Sequence, residues 1–235
     1  MIGTRSLPWY VAMLAAACTM APPAPLTPDG PPATGDPCAL LIAAAPHEWA
    51  ERLPPVHQLG PTAAPRLLQL LAEQPGAPGA PAAVACLGRL GGDGIGAFLT
   101  EQIQQRSALG VEAALALGEL RDATSAATLT ACVDDRFADA TLRTAAACAL
   151  VRLGERKAAT PLLHAVLLAG TPAGVDRQQA MGLPTKPRWA LERYLVQRLL
   201  LQEGAAELTA TFDTDAPWST LEAVTRSIVA WLERP

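Results

Sequence analysis

Five cysteines and three histidines carry most of the reactive chemistry available to this chain. Of these, Cys38, Cys86, Cys132 and Cys148 include no pair at C-x-x-C spacing and have no histidine nearby in sequence, which disfavours a metal centre. In an oxidising compartment four such thiols allow three pairings. Cys132 and Cys148 fall on the two helices of one expected hairpin, the first near its turn and the second nearer mid-helix. That axial offset works against the roughly 7 Å Cα limit for a disulfide, so free thiols packed as small apolar groups are expected. "HEWAERLPPVH" (47–57) lacks the i, i+4 histidine pair of a zinc-binding H-E-x-x-H helix. His164 stands between Leu163 and Ala165 with no acidic neighbour. No G-x-S-x-G elbow is present, and the glycines of "GRLGGDGIGAF" (88–98) suit a helix end better than a phosphate cradle. The expectation is a chain with no catalytic residue, no metal and no cofactor.

Residues that could instead grip a partner lie in two places. The stretch 169–187, "AGTPAGVDRQQAMGLPTKP", interrupts an otherwise regular helical pattern, and long insertions of that kind often form binding loops. Asp176, Arg177, Gln178, Lys186, Arg188 and Trp189 would offer mixed polar contacts beside an aromatic ring. The alternative is an ordinary variable loop with Trp189 packed beneath it. Arg89, Glu119 and Arg152 share one position in an internal repeat, where they would line a groove or form a solvated face.

Cys18 is set apart from the other cysteines. "MIGTRSLPWYVAMLAAAC" has a single positive side chain, Arg5, then an apolar run from Leu7 to Ala17, too short to span a bilayer. It has the layout of a secretory signal. Ala15-Ala16-Ala17 satisfies an A-x-A cleavage site. "LAAAC" (14–18) resembles a bacterial lipobox, although Ala15 stands where leucine is usual and Leu14 comes one place early. That resemblance implies cleavage before Cys18, lipid attachment to its sulfur and membrane tethering through several acyl chains. Thr19, in place of aspartate, points within the resemblance towards the outer membrane, facing the periplasm. Twelve of the 22 prolines fall between Pro22 and Pro65, so a stiff spacer follows the cysteine. A cytosolic chain with an unstructured start is the rival reading.

The elements that must position all of this repeat every 30 residues or so. "AAVACLGRLGG" (82–92), "EAALALGELRD" (112–122) and "AAACALVRLGE" (145–155) align on Leu87 and Leu90, Leu117 and Leu120, Leu150 and Leu153. Ala83, Ala113 and Ala146 precede the first leucine by four residues, giving one apolar helix stripe. Leu99, Leu129 and Leu162, followed four residues on by Ile103, Val133 and Val166, predict a second helix in each unit. Such hairpins bury their faces only by stacking on neighbours.

These residues, about 64–169, resemble HEAT-type repeats of the short bacterial, phycobilisome-lyase-like variety. The resemblance implies an all-α fold, an alpha-solenoid of stacked helical hairpins in an armadillo-type superhelix. Residues 1–17 then read as a signal peptide and 18–37 as a proline-rich tether. A degenerate helix or cap follows at 38–63, HEAT-like repeats at 64–204 with the 169–187 loop, and C-terminal capping helices at 205–235. In the last, Ser219 and Glu222 form a capping box ahead of an apolar face of Leu221, Val224, Ile228, Trp231 and Leu232.

A net charge of -4 and pI near 5.4 provide no basic field, which argues against nucleic-acid binding. With 50% hydrophobic residues but only 4% aromatic, the chain is built for closely approaching alanine-rich helices. The function expected is protein–protein binding or scaffolding by an exported, lipid-tethered protein of the bacterial envelope, its partner unspecified. A cytosolic interaction protein and, remotely, a bilin-lyase-like enzyme are the alternatives.

Overall fold

The computed structural model describes residues 35–169, 172–184, 190–203 and 226–234. Among them the fold is all-α, with no strand. Eleven α-helices are named here: α1 Pro37–Ala43, α2 Trp49–Leu59, α3 Ala64–Glu73, α4 Ala80–Leu90, α5 Ile95–Gln104, α6 Gly110–Leu120, α7 Ala126–Asp134, α8 Ala140–Arg152, α9 Arg156–Leu167, α10 Pro172–Ala180 and α11 Ala190–Gln202. Residues 226–232 are also helical. No described helix is long and apolar enough to cross a membrane. The chain divides into two compact units, Met1–Ile95 and Gly96–Pro235.

In the first unit α1 packs against α2, α3 and α4. Asp36 starts α1, its carboxylate accepting from the Cys38 amide at 2.9 Å and pairing with Arg66 Nε at 2.7 Å. Pro37 follows at the first helical position, where its missing N–H costs nothing. The turn before α4 comes very close to the end of α1: the Gly79 amide donates to the Ile42 carbonyl at 3.0 Å. A Cβ on Gly79 would stand 1.8 Å from the Leu41 carbonyl oxygen, so only glycine fits. The segment expected as one degenerate helix or cap thus contains two helices. They bury Cys38, Leu41, Ile42, Trp49, Leu53 and Val56.

In the second unit α8 is the centre, packing against α6, α7, α9 and α11. All residues from Leu142 to Val151 are buried, because α8 is covered on every side. The expected repeat register is observed at its inner positions. Ala113, Leu117, Ala146 and Leu150 are fully buried here, as are Ala83 and Leu87 in the first unit. Leu99, Leu129 and Leu162 are also fully buried, and Ile103, Val133 and Val166 nearly so. The second leucine of each pair behaves differently: Leu90, Leu120 and Leu153 are only half-buried, since each sits in the last turn or just past it, where the chain leaves the core.

The stretch 169–187, expected as a loop, instead contains α10. Helix α10 ends in a paired-turn arrangement, with the Gly182 amide donating to Gln179 and the Leu183 amide to Gln178. Gly182 takes the left-handed conformation (φ +63°) that this helix end requires. In the C-terminal segment Ile228 and Leu232 are buried, and Arg156 at the start of α9 lies 5.0 Å over the Trp231 ring. Leu221 and Val224, expected on the same face, lie outside the described residues.

Candidate functional site

A cleft of about 390 Å³ opens in the second unit, walled by α5, α7 and the start of α8. Ile103, Ala131, Cys132 and Leu142 give it an apolar lining, and Arg106 and Asp135 stand at its rim, joined as an ion pair. Beside it the turn 135–138 presents Phe137, which is 89% exposed. Among the described residues the other large exposed hydrophobic side chain is Leu59, at 43%.

The geometry of this corner follows from local rules. Helix α5 ends with the Arg106 amide on the Ile103 carbonyl and the Ser107 amide on the Gln102 carbonyl, both at 3.0 Å. Such an ending needs a left-handed residue and usually employs glycine, as at Gly154 (φ +87°) after α8. Here the position is taken by Arg106 at φ +48°. A side-chain-bearing residue in that region carries about 1–2 kcal/mol of strain. What the arginine provides is a guanidinium placed against Asp135. Asp135 in turn accepts from the Phe137 amide at 2.9 Å, closing a small turn. That amide first, and the Arg106 guanidinium second, hold the Asp135 carboxyl below the usual carboxylate range. Phe137 is therefore carried on a turn whose backbone is braced.

Cys132 is 8% exposed at the cleft wall, and burial pushes its thiol up to about 11. Cys86 and Cys148 are pushed to about 12 for the same reason, and burial also raises Cys38. All four are free. Thiols so far from ionising at neutral pH are poor nucleophiles and poor metal ligands. Among the described residues no three metal-binding side chains come together.

The residues marked from sequence are distributed as follows. Glu119 and Arg152 do meet, across α6 and α8, with Arg152 Nη1 2.8 Å from Glu119 Oε1. Arg152 Nε also lies 3.6 Å from Glu203, which approaches Arg121 at 3.8 Å. The Arg152 side chain is only 8% exposed. It is committed to a charge ladder with Glu119 and Glu203 rather than to a solvated face, because residues of α11 such as Leu195 and Leu199 lie beside it. Arg89 is exposed in the last turn of α4, in the first unit. Asp176 and Arg177 are exposed on α10. Gln178, expected among the exposed contacts, is instead fully buried, since α10 turns that face inward against α9. Cys18, Lys186, Arg188 and Trp189 lie outside the described residues.

Sequence reasoning passed over Arg106, Phe137 and Arg143. For Phe137 a signal existed: one of only three phenylalanines in the chain, isolated within the charged run "DDRFAD" (134–139). Arg143 gave none, since nothing local reveals that its guanidinium is enclosed. It is 1% exposed, donating from Nε to the Val133 carbonyl at 2.9 Å and from Nη2 to the Met181 carbonyl at 3.0 Å. Both carbonyls belong to helix C-terminal ends, those of α7 and α10, where partial negative charge accumulates and a cation is favoured.

In comparisons with protein-family models, curated proteins and solved structures, nothing matches this chain significantly.

Proposed function

We propose that this protein is a non-catalytic HEAT-like α-solenoid, exported from a bacterial cell and tethered to a membrane through Cys18. There it docks or scaffolds a protein partner in the envelope. One observation carries the binding half of this proposal: the order of packing in the second unit. First helices pack on first helices, α6 on α8 and α8 on α11, and second on second, α7 on α9. That is the order stacked hairpins produce, and such stacks offer extended surfaces for other proteins. The cleft beside α7, with Phe137 exposed next to it, is where such a surface has an apolar lining, as interface anchors require. Fold alone does not assign a role, so this corner adds the local chemistry that packing order lacks.

The tethering half rests on "LAAAC" and the proline-rich stretch behind it. It is tested by expressing wild type and Cys18→Ser in a bacterial host, feeding a palmitate analogue and fractionating membranes. Label on the wild type alone, with the variant released from the membrane, is the expected result. Label on both proteins or on neither defeats the tether. For the binding half, the full-length chain carrying a photo-crosslinking residue at position 137 is expected to capture a protein, and one carrying it at exposed Lys157 is not. Equal capture from both positions defeats the assignment of this corner.

A further inference from the structure

We propose that the cleft between α5 and α7 receives Phe137 of a second copy of this chain, forming a two-fold symmetric pair. The inference rests on the binding proposal above and names its partner.

Three features of the corner point to a copy rather than to an unlike protein. The first is that one patch holds both halves of an interaction. Among the described residues, an exposed aromatic ring stands beside a cleft with a largely apolar lining. A two-fold axis brings the ring of each chain to the cleft of the other, as an isologous interface requires.

Second, the charges are self-complementary. Arg106 and Asp135 stand side by side on the rim, one of each sign, with the Arg106 side chain 53% exposed and Asp135 26%. Rotation about an axis between them places each cation opposite the anion of the other copy. An acidic or a basic partner would meet repulsion from one of the two.

Third, the sizes agree. A cavity of about 150 Å³ is enough to hold benzene, so a cleft of about 390 Å³ accepts a phenylalanine ring together with the backbone that carries it. Exchange of two rings buries on the order of 300–500 Å² before cleft walls are added. Counting matching cleft walls roughly doubles that, still below the roughly 1,200 Å² of a standard stable interface, so the pair is weak and dissociates on dilution. Tethering at a membrane would raise the effective concentration and favour the paired form there.

The test uses the full-length chain with Cys18→Ser, which removes the lipid site and its thiol. In sedimentation equilibrium the weight-average mass is expected to rise from one chain towards two with concentration. Phe137→Ala is expected to abolish the rise without changing the circular dichroism melt, because the ring touches little of its own chain. Ala131→Trp, which fills the cleft from an exposed position, is expected to abolish it independently. Photo-reactive benzoyl-phenylalanine at position 137, which keeps an aromatic ring there, then reads the contact directly. On irradiating the pure protein a two-chain band is expected on denaturing gels. It should disappear when Ala131→Trp is added.

A two-chain band that survives Ala131→Trp would show position 137 meeting another surface and overturn the seating in the cleft. Wild type that stays one chain at every concentration overturns the pair. If it does so while photo-crosslinking at position 137 still captures another protein, only this inference falls. If that capture fails as well, the docking proposal falls with it.

Discussion

Gly118 of α6 lies so close to Ala149 of α8 that a Cβ built on it would stand 2.9 Å from the Ala149 Cα and 3.1 Å from its Cβ. The Leu-Gly-x-Leu glycine of this repeat is thus a contact surface between helices. Alanine there would gain about 1 kcal/mol of helix propensity and incur about 1–3 kcal/mol of overpacking against backbone that cannot swing aside. Gly118→Ala is expected to lower the urea midpoint, and Gly118→Val to lower it further. An unchanged midpoint would mean that α6 and α8 can separate without loss.

Arg143→Ala should remove the donors that α7 and α10 share at their ends. Hydrogen bonds from a charged donor are worth about 1.5–3 kcal/mol each, and the vacated space adds to the loss, so a fall of at least about 3 kcal/mol is expected. Urea unfolding checks the magnitude. Hydrogen exchange should show faster exchange at the Gly182 and Leu183 amides, which close the end of α10. Arg143→Met fills the volume without the charge and should lose less than Arg143→Ala.

Arg106→Gly separates strain from function. It relieves the left-handed arginine, so the chain should hold its stability or gain up to about 1 kcal/mol. The same change removes the brace on Asp135 and loosens the turn carrying Phe137. Self-association should weaken although the fold does not. Parallel loss of stability and association would contradict this separation.

Acid should destabilise the protein in two steps. Burial, with Arg89 adding to it at His57 and Arg177 at His164, holds both histidines below the ordinary 6.5. The unfolded chain therefore binds protons first, and stability falls as pH drops from 6.5 towards the folded values. Asp36, held down chiefly by Arg66, and Asp135, held down chiefly by the Phe137 amide, act lower. Their contribution is complete above the unfolded value of 3.8 and is lost as pH falls through the folded ones. Urea midpoints measured from pH 8 to 2 should show both declines, and His57→Leu should shrink the first. A stability that rises on acidification to pH 5 would reverse the sign assigned to the histidines.

The helical content and inner repeat positions were legible in the sequence because each hairpin repeats one apolar stripe with alanine at the closest approach. Leu117 and Leu150 could be placed from spacing alone. Helix α10 was not legible: "PAGVDRQQA" has two residues that disfavour helix and only a weak apolar face. It is held in place by distant donors, Arg143 on Met181 and Arg136 on Ala180 at 3.2 Å. Glu119 and Arg152 were recognised as equivalent yet not as partners, since equivalence along the chain does not reveal how near neighbouring repeats approach. The cleft was invisible for a similar reason. Ile103, Ala131 and Leu142 come from three helices, and each alone looks like ordinary core.

Arg143 also gives the array an address. Hairpins built on a shared stripe are in principle interchangeable, and a slip by one repeat would still match leucine to leucine. The guanidinium opposes that exchange, because its Nε and Nη2 find these two carbonyls where α7 ends on one side and α10 on the other. Set one repeat earlier or later, it would be enclosed without those carbonyls, at a cost the leucines could not offset. One charged side chain thus ties the ends of α7 and α10 to α8, beside the turn bearing Phe137.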